Sequence, residues 1–172
     1  MSFAFGHLAG AWVTGKIYEQ LSKQKISHYA WFSLLFGSIL PDADFIIDWT
    51  LGTDIHRTFS HSLLVLILAP LLVYLFFSIL KHTEKKSLAL FLGLGIATHL
   101  VLDGFSAHGI PLLWPQEWYF SFFSGFTPQI PDGGLLVGTA EVLGYKLKLA
   151  IVDMAIGTAW IFYLWFRKRI QF

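Results

Sequence analysis

Long apolar runs separated by short charged connections dominate the chain. The clearest extends from Ser62 to Leu80 without a charged residue, long enough as a helix to cross the ~30 Å hydrocarbon layer of a bilayer. Pro70 lies inside it, which membrane helices tolerate. A basic connection from Lys81 to Lys86 follows, then a second apolar run from Ser87 to Leu102, closed by Asp103. So short a connection predicts an antiparallel helical hairpin. The last span runs from Lys148 to Phe166 and stops at Arg167-Lys168-Arg169. Two earlier helices are predicted. One covers Tyr29 to Asp48 and is interrupted at Pro41; the other covers Phe3 to Leu21, with Gly6, Gly10 and Gly15 suited to close helix packing. No repeat or low-complexity linker divides the chain, so one domain over residues 1–172 is expected. The fold class is all-α: a polytopic membrane bundle of about five transmembrane helices with an aromatic outer loop.

Composition agrees with the pattern. Of the 172 residues, 55% are hydrophobic, 17% aromatic and 13% charged, roughly half the ~25% charge of a soluble domain. Such a domain could not hide 17 Phe and 7 Trp and keep a solvated surface. The absence of cysteine excludes a disulfide scaffold, thiolate metal sites and a Cys nucleophile. A net charge of +1 gives no sign of nucleic-acid binding. No charged region precedes the first apolar run, whose first basic residue is Lys16, so a cleaved signal peptide is not expected.

Orientation follows from the basic residues. Lys16, Lys23, Lys25, Lys81, Lys85, Lys86, Arg167, Lys168 and Arg169 fall on one side of a five-helix arrangement, nine of the twelve cations. That side is expected to be cytoplasmic, with the C-terminus, and the other connections, Trp49 to His61 and Phe105 to Lys146, to lie outside.

This topology, drawn without reference to acids or imidazoles, gathers them at the outer ends of the helices. His7 opens the first helix, Asp42, Asp44 and Asp48 close the second, His56 and His61 precede the third, and His99 and Asp103 close the fourth. His99 and Asp103 are one turn apart on one helix face, placed to bind one cation together, or for Asp103 to orient His99. The bland alternative is a capping Asp and a hydrogen-bonded core His; ionisable groups inside a span are costly and usually functional. In a regular helix Asp42 and Asp44 would point apart, so they converge only if the break at Pro41 turns one of them; otherwise they suit the first turn of a Pro-initiated helix. Asp48 is expected at the interface, solvated. His56 is expected on the loop and His61 in the first turn of the third helix. Arg57 is a candidate clamp for a phosphate or carboxylate, or a lipid-headgroup contact. The available ligands are N and O atoms, which suit Zn²⁺, Mn²⁺ or Fe²⁺, and they suffice for one or two ions. With no clear Ser–His pair, water activated by metal is the expected nucleophile.

His7, Gly37-Ser38-x-x-Pro41-Asp42-x-Asp44, His56-Arg57-x-x-x-His61-Ser62, and His99-x-x-x-Asp103 followed by Gly109-x-Pro111-Leu112-Leu113-x-Pro115 resemble the YdjM-like family of inner-membrane proteins, regarded as metal-dependent hydrolases. The likeness covers most of the chain. It implies a helical membrane protein with His7, Asp42, Asp44, His56, His61, His99 and Asp103 as its metal site. His108 departs from the family pattern. Gly138-Thr139-Ala140-Glu141 resembles a family segment before the last span, with Glu141 as a supporting carboxylate or general base. The His/Asp pattern also loosely resembles helical zinc phospholipases C and nucleases, which implies phosphoester chemistry.

The expectation is a hydrolase of the bacterial or archaeal cytoplasmic membrane, its site facing outward. Its substrate would be a phosphoester, in a lipid or lipid-linked molecule, with Arg57, Asp44 and Glu141 in catalytic roles. The aromatic loop (Trp114, Trp118, Tyr119, Phe120, Phe122, Phe123) would cover the site or anchor in the bilayer. The competing classes are a divalent-metal transporter and a metal-binding sensor or scaffold. A transporter would carry polar residues near the midplane with access from both sides.

Overall fold

The computed structural model describes residues 4–53, 58–106, 109–128 and 140–166. The helix α1 spans Ala4–Ser22 and α2 spans His28–Ile39. Ser27 caps α2 by accepting the Ala30 N–H at 3.2 Å. Pro41 then opens a 3-10 turn, Pro41–Ala43, and the chain continues as α3, Asp44–Leu51; the stretch Pro41–Asp48 is bent 54° away from α2. Gly52 ends α3 in the left-handed conformation, at φ 66°. The interruption expected at Pro41 is therefore present.

A second 3-10 turn, Phe59–His61, precedes α4, Leu63–Ile79. Ser62 is the N-cap of α4, so His61 lies just outside the helix rather than in its first turn as expected. The predicted hairpin forms between α4 and α5, Lys85–Gly104.

The centre of the fold is α5. Its Phe91 packs with Ala11, Ala30 and Leu34 of α1 and α2. Its Leu92, Ile96 and Leu100 pack with Ile110 and are flanked by Leu66, Ala69 and Val73 of α4. Glycine brings α2 and α5 into backbone contact. A Cβ at Gly95 would lie 2.2 Å from the Leu34 carbonyl oxygen, and one at Gly37 2.4 Å from that of Leu92. By contrast α4 has no fully buried residue and turns Ile67, Leu68, Leu71, Leu72 and Leu75 outward. So much exposed apolar surface marks contact with lipid or a partner.

The stretch after α5, expected as a loop, contains the antiparallel hairpin of β1, Trp118–Ser121, and β2, Gly125–Pro128. It docks on the end of α5, with Phe122 N–H donating to the Gly104 carbonyl at 2.8 Å. Ile110 and Phe120 exchange two further backbone bonds, of 2.9 and 2.8 Å. Trp114, Trp118, Phe122 and Phe123 remain exposed. The last helix, α6, begins at Ala140 and ends at Phe166, so the outer connection is shorter than the sequence suggested. Asp153 of α6 accepts the N–H groups of Gly6 at 2.6 Å and Phe5 at 3.2 Å, capping α1 from another helix.

Among the described residues, α5 alone is long and apolar enough to cross a membrane by itself. The bent α2–α3 pair makes a second candidate, and α4 and Ile151–Leu164 of α6 are apolar but shorter. At one end of the helices the two basic connections meet. There the Ser27 hydroxyl donates to Glu84, while Glu19 pairs with Lys16 at 2.7 Å and Lys25 at 3.9 Å. The chemistry-bearing residues collect at the opposite end.

Candidate metal centre

Four elements deliver the cluster. His7 comes from the first turns of α1, Asp42 from the 3-10 turn at Pro41, His61 from the turn before α4, and His99 and Asp103 from one face of α5. His7, His61 and His99 are completely buried, Asp103 nearly so, and only the Asp42 side chain, at 22%, is appreciably exposed.

His61 Nε2 and His99 Nε2 lie 3.2 Å apart. Asp42 Oδ1 is 3.4 Å from the first and 3.6 Å from the second, and Asp103 Oδ2 is 3.4 and 3.8 Å from them. Asp42, His61, His99 and Asp103 thus form a largely buried group whose ligand atoms all lie within 4.8 Å of one another and could hold a divalent cation. A tetrahedral site with bonds of about 2.1 Å has edges of about 3.4 Å, which matches these separations.

The far nitrogens decide what the near ones offer. His99 Nδ1 lies 2.7 Å from the Ser38 carbonyl. A carbonyl only accepts, so Nδ1 carries the proton, and the neutral ring presents a lone pair at Nε2. His61 is held similarly, through a hydroxyl. Ser60 Oγ donates to Asp44 Oδ2 at 2.5 Å, which leaves its oxygen to accept from His61 Nδ1 at 2.9 Å. The neutral His61 ring then also presents its lone pair at Nε2. Two lone pairs and two carboxylates converging in a buried space require positive charge among them. Burial alone would lower the His61 pKa, but hydrogen bonds and charge from Asp103 and Asp42 outweigh it and raise it.

Asp42 and Asp44 grip one imidazole from two sides. The break at Pro41 turns Asp42 toward Nε2, while Asp44, first residue of α3, stays 3.9 Å from Nδ1 behind Ser60. Of the expected site residues, the fold brings together His7, Asp42, Asp44, His61, His99 and Asp103. His56, Arg57 and His108 lie outside the described residues, as does the side chain of Glu141, on the first turns of α6. Asp48 is apart from the cluster and accepts from the Thr53 hydroxyl at 2.7 Å. The sequence reading missed the Ser38 carbonyl and found no clear Ser–His pair, whereas Ser60 Oγ lies 2.9 Å from His61 Nδ1. Ser60 could have been suspected as one of several polar residues in a row before an apolar helix; a backbone carbonyl leaves no such mark.

A family model described as YdjM inner membrane protein matches residues 1–170. The chain belongs to the YdjM inner membrane protein family. Among curated proteins, this YdjM-family chain is 28% identical over 115 residues to the uncharacterized protein YvsG of Bacillus subtilis (strain 168). The match covers 67% of the chain and 59% of the relative, so the chain spans about three-fifths of that protein's length. No solved structure matches it. Its family makes it a protein of the inner membrane, and its buried His/Asp group gives it a possible cation site.

Proposed function

We propose that this YdjM-family protein is a metal-dependent hydrolase of the cytoplasmic membrane, acting on a phosphoester of a lipid or lipid-linked molecule. The observation that carries the reading is the convergence of His61 Nε2, His99 Nε2, Asp42 Oδ1 and Asp103 Oδ2. In this reading those four atoms hold one divalent cation, and two imidazoles with two carboxylates suit Zn²⁺ well. Bound there, the cation supplies a nucleophile from water at neutral pH and stabilises charge on a phosphoryl oxygen.

The chain's own residues prepare the place. Ser38 and the Ser60–Asp44 pair hold the two rings with their lone pairs turned inward, the outer-partner arrangement that orients ligating histidines. Asp44 thereby acts through Ser60 on His61 rather than as a ligand of this group. Asp42, as the exposed member, marks the side from which substrate arrives. The site end is opposite the Lys-rich connections, which supports an outward-facing site and a five-span arrangement in which α4 and α6 also cross. The exposed aromatic hairpin beside Asp103 supports a substrate that lies in the bilayer interface.

The test is metal content of detergent-purified protein beside a His99→Ala/Asp103→Ala variant, followed by a phosphoester and phospholipid screen. Bound metal that the variant loses while its helix content holds, with hydrolysis that a chelator stops and added Zn²⁺ restores, is the expected result. Native protein that neither contains nor takes up Zn²⁺ or Mn²⁺ would sink the reading.

A further inference from the structure

Each carboxylate of the centre faces two ways. Asp42 turns Oδ1 toward His61 and His99, and its other oxygen, Oδ2, lies 3.8 Å from His7 Nε2. Asp103 turns Oδ2 toward the same two rings, and its Oδ1 lies 3.4 Å from His7 Nε2. The pattern is the same at both residues: one oxygen for the His61–His99 pair, the other for His7.

His7 is built for this position. Its ring is fully buried and stacks on His99 with centroids 3.8 Å apart and planes 17° from parallel, so the two imidazoles bring Nε2 edges to the same carboxylate pair. The helix that carries it is fixed at its start by the Asp153 cap and at Gly10 by the Leu102 side chain of α5.

We propose that the centre has a second divalent-cation position, formed by His7 Nε2, Asp42 Oδ2 and Asp103 Oδ1, with the two aspartates bridging it to the first. The proposal rests on the reading of the first position above and extends it. The two positions differ in kind. The first draws on four protein atoms and the second on three, so the second leaves the wider room for water or a substrate oxygen. With Asp42 and Asp103 shared between them, two cations held there would both be able to stabilise charge on one phosphoryl group.

The experiment uses the whole protein in detergent, loaded with Zn²⁺ or Mn²⁺, freed of excess and assayed by mass spectrometry, for the native chain, His7→Gln and His99→Gln. The native protein is expected to retain two equivalents and His7→Gln one. His99→Gln is expected to lose the first equivalent and weaken the second through the shared carboxylates. Electron paramagnetic resonance of the Mn²⁺-loaded native protein gives a readout that needs no variant. A spin-coupled pair is expected there, and an isolated six-line ion in His7→Gln. One equivalent in both native protein and His7→Gln, with an isolated-ion spectrum in each, overturns the second position and leaves the first intact. No equivalent in the native protein overturns the underlying reading and the second position together.

Discussion

The Ser38 carbonyl and the Ser60 hydroxyl hold few atoms but determine which nitrogen each histidine offers. Removing the hydroxyl leaves Asp44 and His61 Nδ1 3.9 Å apart, too far for a hydrogen bond. Ser60→Ala is therefore expected to weaken Zn²⁺ binding about 10–100-fold, the usual effect of losing an outer partner, while Ser60→Thr keeps most of the affinity. Competition against a chromophoric chelator measures both, and equal affinity of Ser60→Ala and native protein would refute the relay. The same residues set a pH dependence. A ligating imidazole must give up its proton, and His61 holds its proton more tightly than an ordinary imidazole when no cation is bound. Zn²⁺ affinity should therefore fall as pH drops, with the decline beginning above the ordinary value of about 6.5. Titration calorimetry from about pH 8 to about pH 6 checks this. A flat profile would mean that His61 is not a ligand.

Among the elements, the crossing of α2 and α5 is the part on which the centre depends most. Gly37 and Gly95 let the two backbones touch, and His99, one turn after Gly95, thereby reaches the carbonyl next to Gly37. Gly→Ala in a helix ordinarily gains about 0.5–1 kcal/mol. Here the added methyl would meet the Leu34 carbonyl oxygen at 2.2 Å, and rigid backbone cannot yield as a side-chain tip can. Overpacking of about 1–3 kcal/mol wins. Gly95→Ala is expected to lower the thermal midpoint in detergent and to reduce bound metal as α2 is pushed away from His99. A stabilised variant with full metal would contradict this crossing. The Asp153 cap is a separate contribution. Asp153→Ala should destabilise by about 0.5–2 kcal/mol, as lost helix caps do, and thermal unfolding beside an exposed control such as Thr50→Ala would show it.

For the whole molecule, the arrangement of ends is the main finding. The basic connections bracket one end through Ser27, Glu84, Glu19 and Lys25, and the acid–imidazole group occupies the other. A chain without cysteine is suited to testing which end faces out. A cysteine introduced at Thr53, near the site end, should react with a membrane-impermeant thiol reagent in intact spheroplasts. One introduced at Lys23 should react only after lysis. The reverse pattern would turn the site toward the cytoplasm and exclude an extracytoplasmic substrate.

Much of this was legible in the order of residues. Apolar runs marked α1, α2, α4 and α5 to within a few positions, because a helix that must bury its surface in lipid or protein needs continuous apolar sequence. The break at Pro41 was visible because proline lacks the N–H that a helix interior requires. The convergence of His7, Asp42, His61, His99 and Asp103 at one end followed from alternating helix directions alone. Other features depended on atoms far apart in the chain. Asp153 had no explanation in the sequence, since its partners are the N–H groups of Phe5 and Gly6, on a different helix. The hairpin was hidden in an aromatic stretch whose short strands pair with each other and with Ile110. The division of labour among the acids came only from tertiary structure. Asp42 faces Nε2 of His61 and Asp44 faces Nδ1, and that difference arises from how a 3-10 turn rotates one side chain relative to the next helix. Sequence determines which groups can reach a common end; the packing of backbones against one another decides which atom of each group meets which.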